Sequence, residues 1–199
     1  MCSRFENKAS AKTVKRRFRL KSLPDGADAI LSAPDRRPTD PILAIGSGPE
    51  AIILRFGLST SWDAQPLLNA RIETLTEKPT FRPLLETRCL IPATGYFEWR
   101  RQGKMRIKNR IEPQNHAPFA FAGLVDKSQN AAVILTCAPA DPIAHVHGRM
   151  PVILKEGDEE AWLDPARAFA SLTGMLRPFA DVTAVEETPP PPRQPDLFI

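Results

Sequence analysis

The chain has 199 residues, 25% of them charged, and 27 Lys and Arg against 23 Asp and Glu give a net charge of +4. That length fits one domain with or without a tail, and it can bury a core that needs neither disulfides nor a structural metal. The near balance of charge excludes a disordered or fibrous chain, and no window approaches the ~18 apolar residues of a membrane span. Proline is in excess, at 21 copies, which argues for a chain cut into short elements rather than a helix bundle.

The N-terminus reads Met1-Cys2-Ser3-Arg4-Phe5 and lacks the apolar core of a secretion signal. Three cysteines (Cys2, Cys89 and Cys137) show no CxxC spacing, so a reducing, cytoplasmic setting is expected, with no disulfide framework and no zinc signature. Residues 1–21 carry eight basic side chains against Glu6 alone. Within them, Ala9–Leu23 has the spacing of a short amphipathic helix, with Val14 and Phe18 inward and a basic outer face. Pro24–Pro49 is rich in Pro and Gly and reads as loop, with a short strand at Ile42–Ile45. Apolar runs bounded by Pro or Gly predict strands at Ala51–Leu58, Arg88–Ile91, Gly95–Trp99, Phe119–Val125, Ala131–Cys137 and Met150–Leu154.

A second basic cluster, from Arg100 to Arg110, contains no acid; with the first it suggests a positive surface for a polyanion. Helices are expected at Asp158–Leu163 and Pro165–Leu176. The pattern predicts a single α+β domain on a curved, largely antiparallel sheet with a barrel-like core and flanking helices. After about Pro178 the character changes: five of the 21 prolines fall in the last eleven residues. Residues 1–180 are therefore read as the domain and 181–199 as an extended proline-rich tail.

Four segments carry groups able to do chemistry. Cys2 becomes N-terminal if Met1 is removed, as it is before small residues. It would then hold an α-amine and a thiol on one residue, with ordinary pKa values of ~7.7–8.0 and ~8.5. Such a 1,2-aminothiol condenses with an aldehyde to an imine, and the thiolate closes a five-membered thiazolidine. Most second-position cysteines do nothing of the kind. Leu68–Thr74 gathers an amide, a guanidinium and a carboxylate; Pro92–Trp99 sets Glu98 between aromatics, where burial can raise its pKa for proton transfer. Ala144–Leu154 places His147 and Arg149 before an apolar strand. His145 and His147 form an HxH pair that could ligate a metal, but no third ligand stands beside it.

Met1-Cys2, Asn69–Thr74 (Asn-Ala-Arg-Ile-Glu-Thr), Gly95–Trp99 (Gly-Tyr-Phe-Glu-Trp) and His147–Pro151 (His-Gly-Arg-Met-Pro) occur in that order. Together they resemble the motifs of the SOS-response-associated peptidase family over about residues 1–180. The resemblance implies a single α+β domain whose basic groove binds single-stranded DNA, captures the aldehyde of an abasic site and shields it as a thiazolidine crosslink on Cys2. The family is also named for a proposed autoproteolysis. By the same resemblance Asn69 orients Cys2, Glu98 shuttles protons in crosslink formation and release, and His147 assists opening of the sugar. Arg4, Arg71 and Arg149 would grip phosphates. Trp62 and Trp99 would stack on bases beside the gap, and Pro38 matches the proline of the family's Asn-x-Ala-Pro stretch.

That stretch reads Asp35-Arg36-Arg37-Pro38 here, which puts an acid at the groove edge unless the arginines offset it. The family's closing strand is reduced to Val182–Val185 at best. No cofactor is implied, and nothing suggests an obligate oligomer, so a monomer is expected. Gln194-Pro195-Asp196-Leu197-Phe198 resembles the peptide by which bacterial repair proteins bind the replication sliding clamp. Two other readings stay open: a thiol peptidase using Cys2 with His147, and a non-covalent single-strand-binding module using the basic runs and tryptophans.

Overall fold

The computed structural model describes residues 2–32 and 35–187. In chain order the elements are β1 (Phe5–Glu6), α1 (Ala11–Arg17), α2 (Ala27–Ser32), β2 (Pro41–Ile45), β3 (Ala51–Phe56), β4 (Asn69–Arg71) and β5 (Arg88–Ala93). They continue with β6 (Gly95–Gln102), β7 (Met105–Pro113), β8 (Phe119–Asp126), β9 (Ala131–Cys137), β10 (Met150–Pro151), α3 (Glu159–Leu163) and β11 (Val182–Glu186).

Five strands close on themselves in the order β3-β2-β5-β8-β9, and β9 returns to β3 in parallel. Every other pairing in the ring is antiparallel. β8 and β9 are apolar almost throughout and buried along their length, as strands lining a closed core must be. Gly123 of β8 is required by that closeness: a Cβ there would stand 2.8 Å from Cys89 Sγ and 3.0 Å from the Val133 carbonyl. Gly123→Ala is expected to cost about 1–3 kcal/mol through overpacking, measurable as a lower thermal midpoint with an unchanged fold.

A second sheet, β1-β6-β7-β11, stands against the barrel. The chain passes from one sheet to the other at Thr94, between β5 and β6. Aromatic edges join the two: Phe5 meets Phe56 at 5.5 Å and Phe121 at 5.6 Å, and Tyr96 meets Phe121 at 6.0 Å between ring centres. β6 and β7 form a hairpin whose turn places Gly103 at φ 58°, a left-handed conformation suited to glycine.

The α+β class and its largely antiparallel, barrel-centred architecture are as the sequence predicts. Three local expectations change. α2 lies in the segment read as loop, because the flanking Pro and Gly mark its ends while Ala27, Ile30 and Leu31 bury one face. β7 runs through the second basic cluster, where long charged side chains hide the alternation of a strand. Pro165–Leu176 yields two short 3₁₀ turns, Phe169–Ser171 and Thr173–Met175, rather than a helix. β11 closes the second sheet in a ladder with β7 from Val182↔Pro113 to Glu186↔Asn109. Gln194–Phe198, the clamp-like peptide, lies outside the described residues. No described helix is long and apolar enough to cross a membrane.

Candidate active site

The site forms where the start of the chain is drawn into the second sheet. Phe5 pairs with Tyr96, and the Phe97 N–H donates to the Arg4 carbonyl at 2.9 Å, so β1 lies as the outer strand beside β6. An ion pair locks this edge. The Glu6 carboxylate, 1% exposed, accepts from Arg110 of β7 at 2.7 Å and pairs with Lys8 at 2.8 Å. Cys2 is consequently buried, at 1% exposure.

Asn69 reaches Cys2 from β4. Its Nδ2 donates to the Cys2 carbonyl at 2.9 Å, and parallel pairing to β9 holds Asn69 beside Ile134. Glu98 comes from the middle of β6 and is also buried. Its Oε2 lies 3.9 Å from Nε2 of His147, which occupies the connection between β9 and β10. Nδ1 of the same ring lies 3.0 Å from the backbone nitrogen of Arg149 and 3.0 Å from its carbonyl oxygen, which holds the ring's orientation.

Burial raises the Glu98 carboxyl above its usual range, partly offset by the positive charge of His147. Burial, followed by the negative charge of Glu98, pushes the Cys2 thiol well above its usual range. Residues far apart in sequence are therefore brought together: an amide holding Cys2, and a buried carboxyl beside an imidazole.

Arg149 presents both ends of its guanidinium to Glu73 at 2.6 and 2.8 Å, and one nitrogen also donates to the Thr136 carbonyl at 2.7 Å. Those hydrogen bonds hold Glu73 below the usual carboxylate range. Arg71, the exposed last residue of β4, stands opposite Thr136 in the ladder. Arg4 pairs with Asp35 and lies 5.4 Å from the centre of the Trp99 ring, with Arg106 at 5.9 Å from the same ring. Ser3, Trp99 and Arg106 line a hollow of about 340 Å³ here. A larger one, of about 430 Å³, is lined by Gly46, Arg88 and Leu163 and includes none of the site residues.

The acid at the groove edge is offset by arginines, as Asp35 pairs with Arg4 and, at 3.5 Å, with Arg37. Trp62 is 69% exposed and Pro38 is exposed in a turn; among the described residues no hydrogen bond, ion pair or ring contact joins either to the cluster. Of the basic runs, the hairpin flanks Trp99, whereas Arg17 of α1 makes two 2.8 Å hydrogen bonds to Glu159 of α3.

The sequence placed Arg106 only within a basic cluster and gave Thr136, Glu186 and Glu187 no role. Arg100 pairs with Glu186, Lys108 with Glu187 at 2.6 Å, and the Glu187 N–H donates to the Lys108 carbonyl at 2.9 Å. Two cations of the hairpin are thus covered by the end of β11. Only the β7–β11 register, a long-range property, could have revealed this.

The α+β barrel and its second sheet thus bury Cys2 beside Asn69 and set Glu98 against His147. The chain belongs to the SOS response associated peptidase (SRAP) family, whose model matches residues 1–189. It is 39% identical over 160 residues to the Bacillus subtilis abasic site processing protein YoaM, covering 71% of this chain and 70% of that protein. It is 34% identical over 198 residues to the abasic site processing protein YoqW of the same organism, covering 90% and 88%. A crystal structure of a Bacteroides thetaiotaomicron protein matches with a TM-score of 0.81 at 28% identity, over 93% of this chain and 91% of that one.

Proposed function

We propose that this protein captures abasic sites in single-stranded DNA as a thiazolidine crosslink on Cys2 after removal of Met1. The observation that supports the reading is a buried Cys2 whose carbonyl accepts from Asn69 and whose thiol feels the charge of Glu98, itself 3.9 Å from His147. Its relatives' description as abasic site processing proteins supports the same reading.

In this mechanism the Cys2 α-amine attacks the aldehyde carbon of the ring-opened sugar, and the carbinolamine loses water to give an imine. The sulfur then attacks the same carbon. A C–S bond forms, the C=N π pair moves to nitrogen, and the thiol proton is transferred to that nitrogen by way of Glu98. A carboxyl whose pKa burial raises suits both steps, since it must give a proton to the departing hydroxyl and take one from sulfur. Asn69 fixes the Cys2 carbonyl, and so the direction of the amine and thiol. His147 gives a proton to the ring oxygen as its bond to the anomeric carbon breaks, and the hydroxyl on that carbon loses its proton to become the aldehyde. Arg4, Arg71 and Arg149 hold flanking phosphates, with Trp99 and Trp62 beside the bases and Pro38 at the groove edge.

The peptidase reading asks for a thiolate activated by an imidazolium, with a lowered thiol pKa. The Cys2 thiol is instead pushed up, and the outward imidazole nitrogen faces Glu98. The test is incubation of the Met1-processed protein with an abasic oligonucleotide: an adduct that survives denaturation is expected. Salt-sensitive binding without an adduct would select the non-covalent module, and peptide turnover without one the peptidase.

The acids on β11 compete with DNA for Arg100 and Lys108. Glu186→Gln with Glu187→Gln is expected to tighten binding of an unmodified single-stranded oligonucleotide about two- to fivefold, the scale of exposed ion pairs at ~0.2–1 kcal/mol. Fluorescence anisotropy at two salt concentrations checks this. The tail's Gln194–Phe198 is proposed as a sliding-clamp ligand at the end of a proline spacer. Deleting residues 193–199 should abolish clamp binding in a pull-down and leave DNA crosslinking intact.

A further inference from the structure

Trp62 stands on a short loop, residues 58–67, between β3 and β4. The loop is closed at its base, where Leu58 and Leu67 exchange backbone hydrogen bonds at 3.0 and 2.8 Å. Within it the Thr60 hydroxyl accepts from the Asp63 N–H at 3.2 Å, and the Asp63 carboxylate accepts from the Gln65 N–H at 2.8 Å. These bonds turn the chain around an indole left 69% exposed. The loop runs straight into β4, so Leu67 lies two residues before Asn69, which holds the Cys2 carbonyl.

One side chain outside the loop decides how it stands on the barrel. Gln129, in the turn between β8 and β9, accepts through Oε1 from the Ser59 N–H at 2.8 Å, and its Nε2 donates to the Ser59 carbonyl at 3.2 Å. The same amide accepts from Nη2 of Arg55 on β3 at 3.3 Å and donates to Oδ2 of Asp126 at 3.1 Å. An amide offers two donor and two acceptor positions, and all of them are filled. Among the described residues, no other hydrogen bond ties residues 59–66 to another part of the fold. Holding a long side chain in one rotamer costs entropy, and what this clasp orders is an exposed indole.

We propose that Gln129 is a positioning residue for the DNA strand: its amide fixes the loop against the barrel, so that Trp62 already stands where it stacks on a base beside the abasic gap. The proposal rests on the reading of this protein as a binder of single-stranded DNA, and it concerns binding rather than the covalent step. Its physical basis is preorganisation. A base that meets a fixed indole gains the stacking energy without the cost of ordering the loop at that moment. Without the clasp the turn swings on its Leu58–Leu67 base, and each strand that binds must first restrain it. Gln129 acts through Trp62 and touches no group of the reaction.

The test is a double-mutant cycle on the Met1-processed full chain, read as the anisotropy of a fluorescent, unmodified single-stranded oligonucleotide. Gln129→Met keeps the length of the side chain and removes its hydrogen bonds. Alone it is expected to weaken binding about three- to tenfold, and Trp62→Ala alone about tenfold. In the Trp62→Ala background Gln129→Met should cost nothing further, because no indole is left to position. A loss of equal size in both backgrounds overturns the proposal, since a merely structural defect acts in either. Unchanged binding by Gln129→Met or by Trp62→Ala overturns it as well. With an abasic oligonucleotide, Gln129→Met should raise the concentration that gives half the maximal crosslinking rate and leave the rate at saturation unchanged. A lower saturating rate would move its effect to the chemistry and overturn the proposal. If the wild-type protein gives no crosslink, the thiazolidine reading fails while the binding cycle still decides the role of Gln129.

Discussion

Cys2→Ala is expected to abolish the denaturation-resistant adduct with abasic DNA outright, because no other residue supplies an amine and a thiol to one carbon. Cys2→Ser is the sharper variant. It keeps the α-amine and the Asn69 hydrogen bond to the residue-2 carbonyl, so imine formation should persist while ring closure fails. Borohydride should therefore trap Cys2→Ser on abasic DNA, whereas without reductant the complex should fall apart on denaturation. Denaturing gel electrophoresis of both variants, with and without reductant, reads the result. A stable adduct on Cys2→Ala would move the nucleophile to a lysine and remove the thiazolidine from the mechanism. Neither substitution should unfold the protein, since the Glu6–Arg110 pair and the Phe5 ring contacts that seat β1 remain.

Glu98→Gln is expected to slow crosslink formation about 10²- to 10⁴-fold, the usual contribution of a positioned acid–base group. Glutamine keeps the shape of the side chain and loses the exchangeable proton. Binding of unmodified DNA should change little, which separates a lost proton shuttle from a lost contact. Release of a preformed wild-type crosslink runs through the same proton transfers in reverse, so Glu98→Gln crosslinks should also be longer lived.

The same substitution has a signature in stability. Burial raises the folded-state pKa of Glu98 above the ~4.3 of an unfolded glutamate. Between those values the folded protein binds more protons than the unfolded one, so stability falls as pH rises through the window. The favourable contribution is fully present below about pH 4.3 and is lost as pH rises through the raised pKa. Glu98→Gln should lack this loss. The stability difference between variant and wild type should therefore grow in favour of the variant as pH rises, in denaturant titrations on either side of the window. A difference that stays constant with pH would mean that Glu98 is not destabilised as an anion.

The Arg149–Glu73 and Arg4–Asp35 pairs bear on how DNA enters. In each, a carboxylate occupies the guanidinium that a phosphate would take, and the end of β11 does the same for Arg100 and Lys108. Such pairs keep long arginine side chains extended and ordered before the ligand arrives. Exchange of carboxylate for phosphate then costs less reorganisation than ordering a free side chain, and the affinity that results depends on salt.

The sequence by itself determined the α+β class and most of the barrel strands, and it singled out Cys2, Asn69, Glu98 and His147 as candidates. β8 and β9 are legible because a strand buried on both faces must be apolar without interruption, and Cys2, Asn69, Glu98 and His147 are legible because each sits in a short motif. Tertiary structure decided what those residues face. Pairing of β1 with β6 buries Cys2, and pairing of β4 with β9 carries Asn69 to it; ladder partners are set by the whole fold and leave no local mark. β7 was hidden for a related reason. Its arginines and lysines read as a solvated run, and only the hairpin turn at Gly103 and the closing strand β11 make them one side of a sheet.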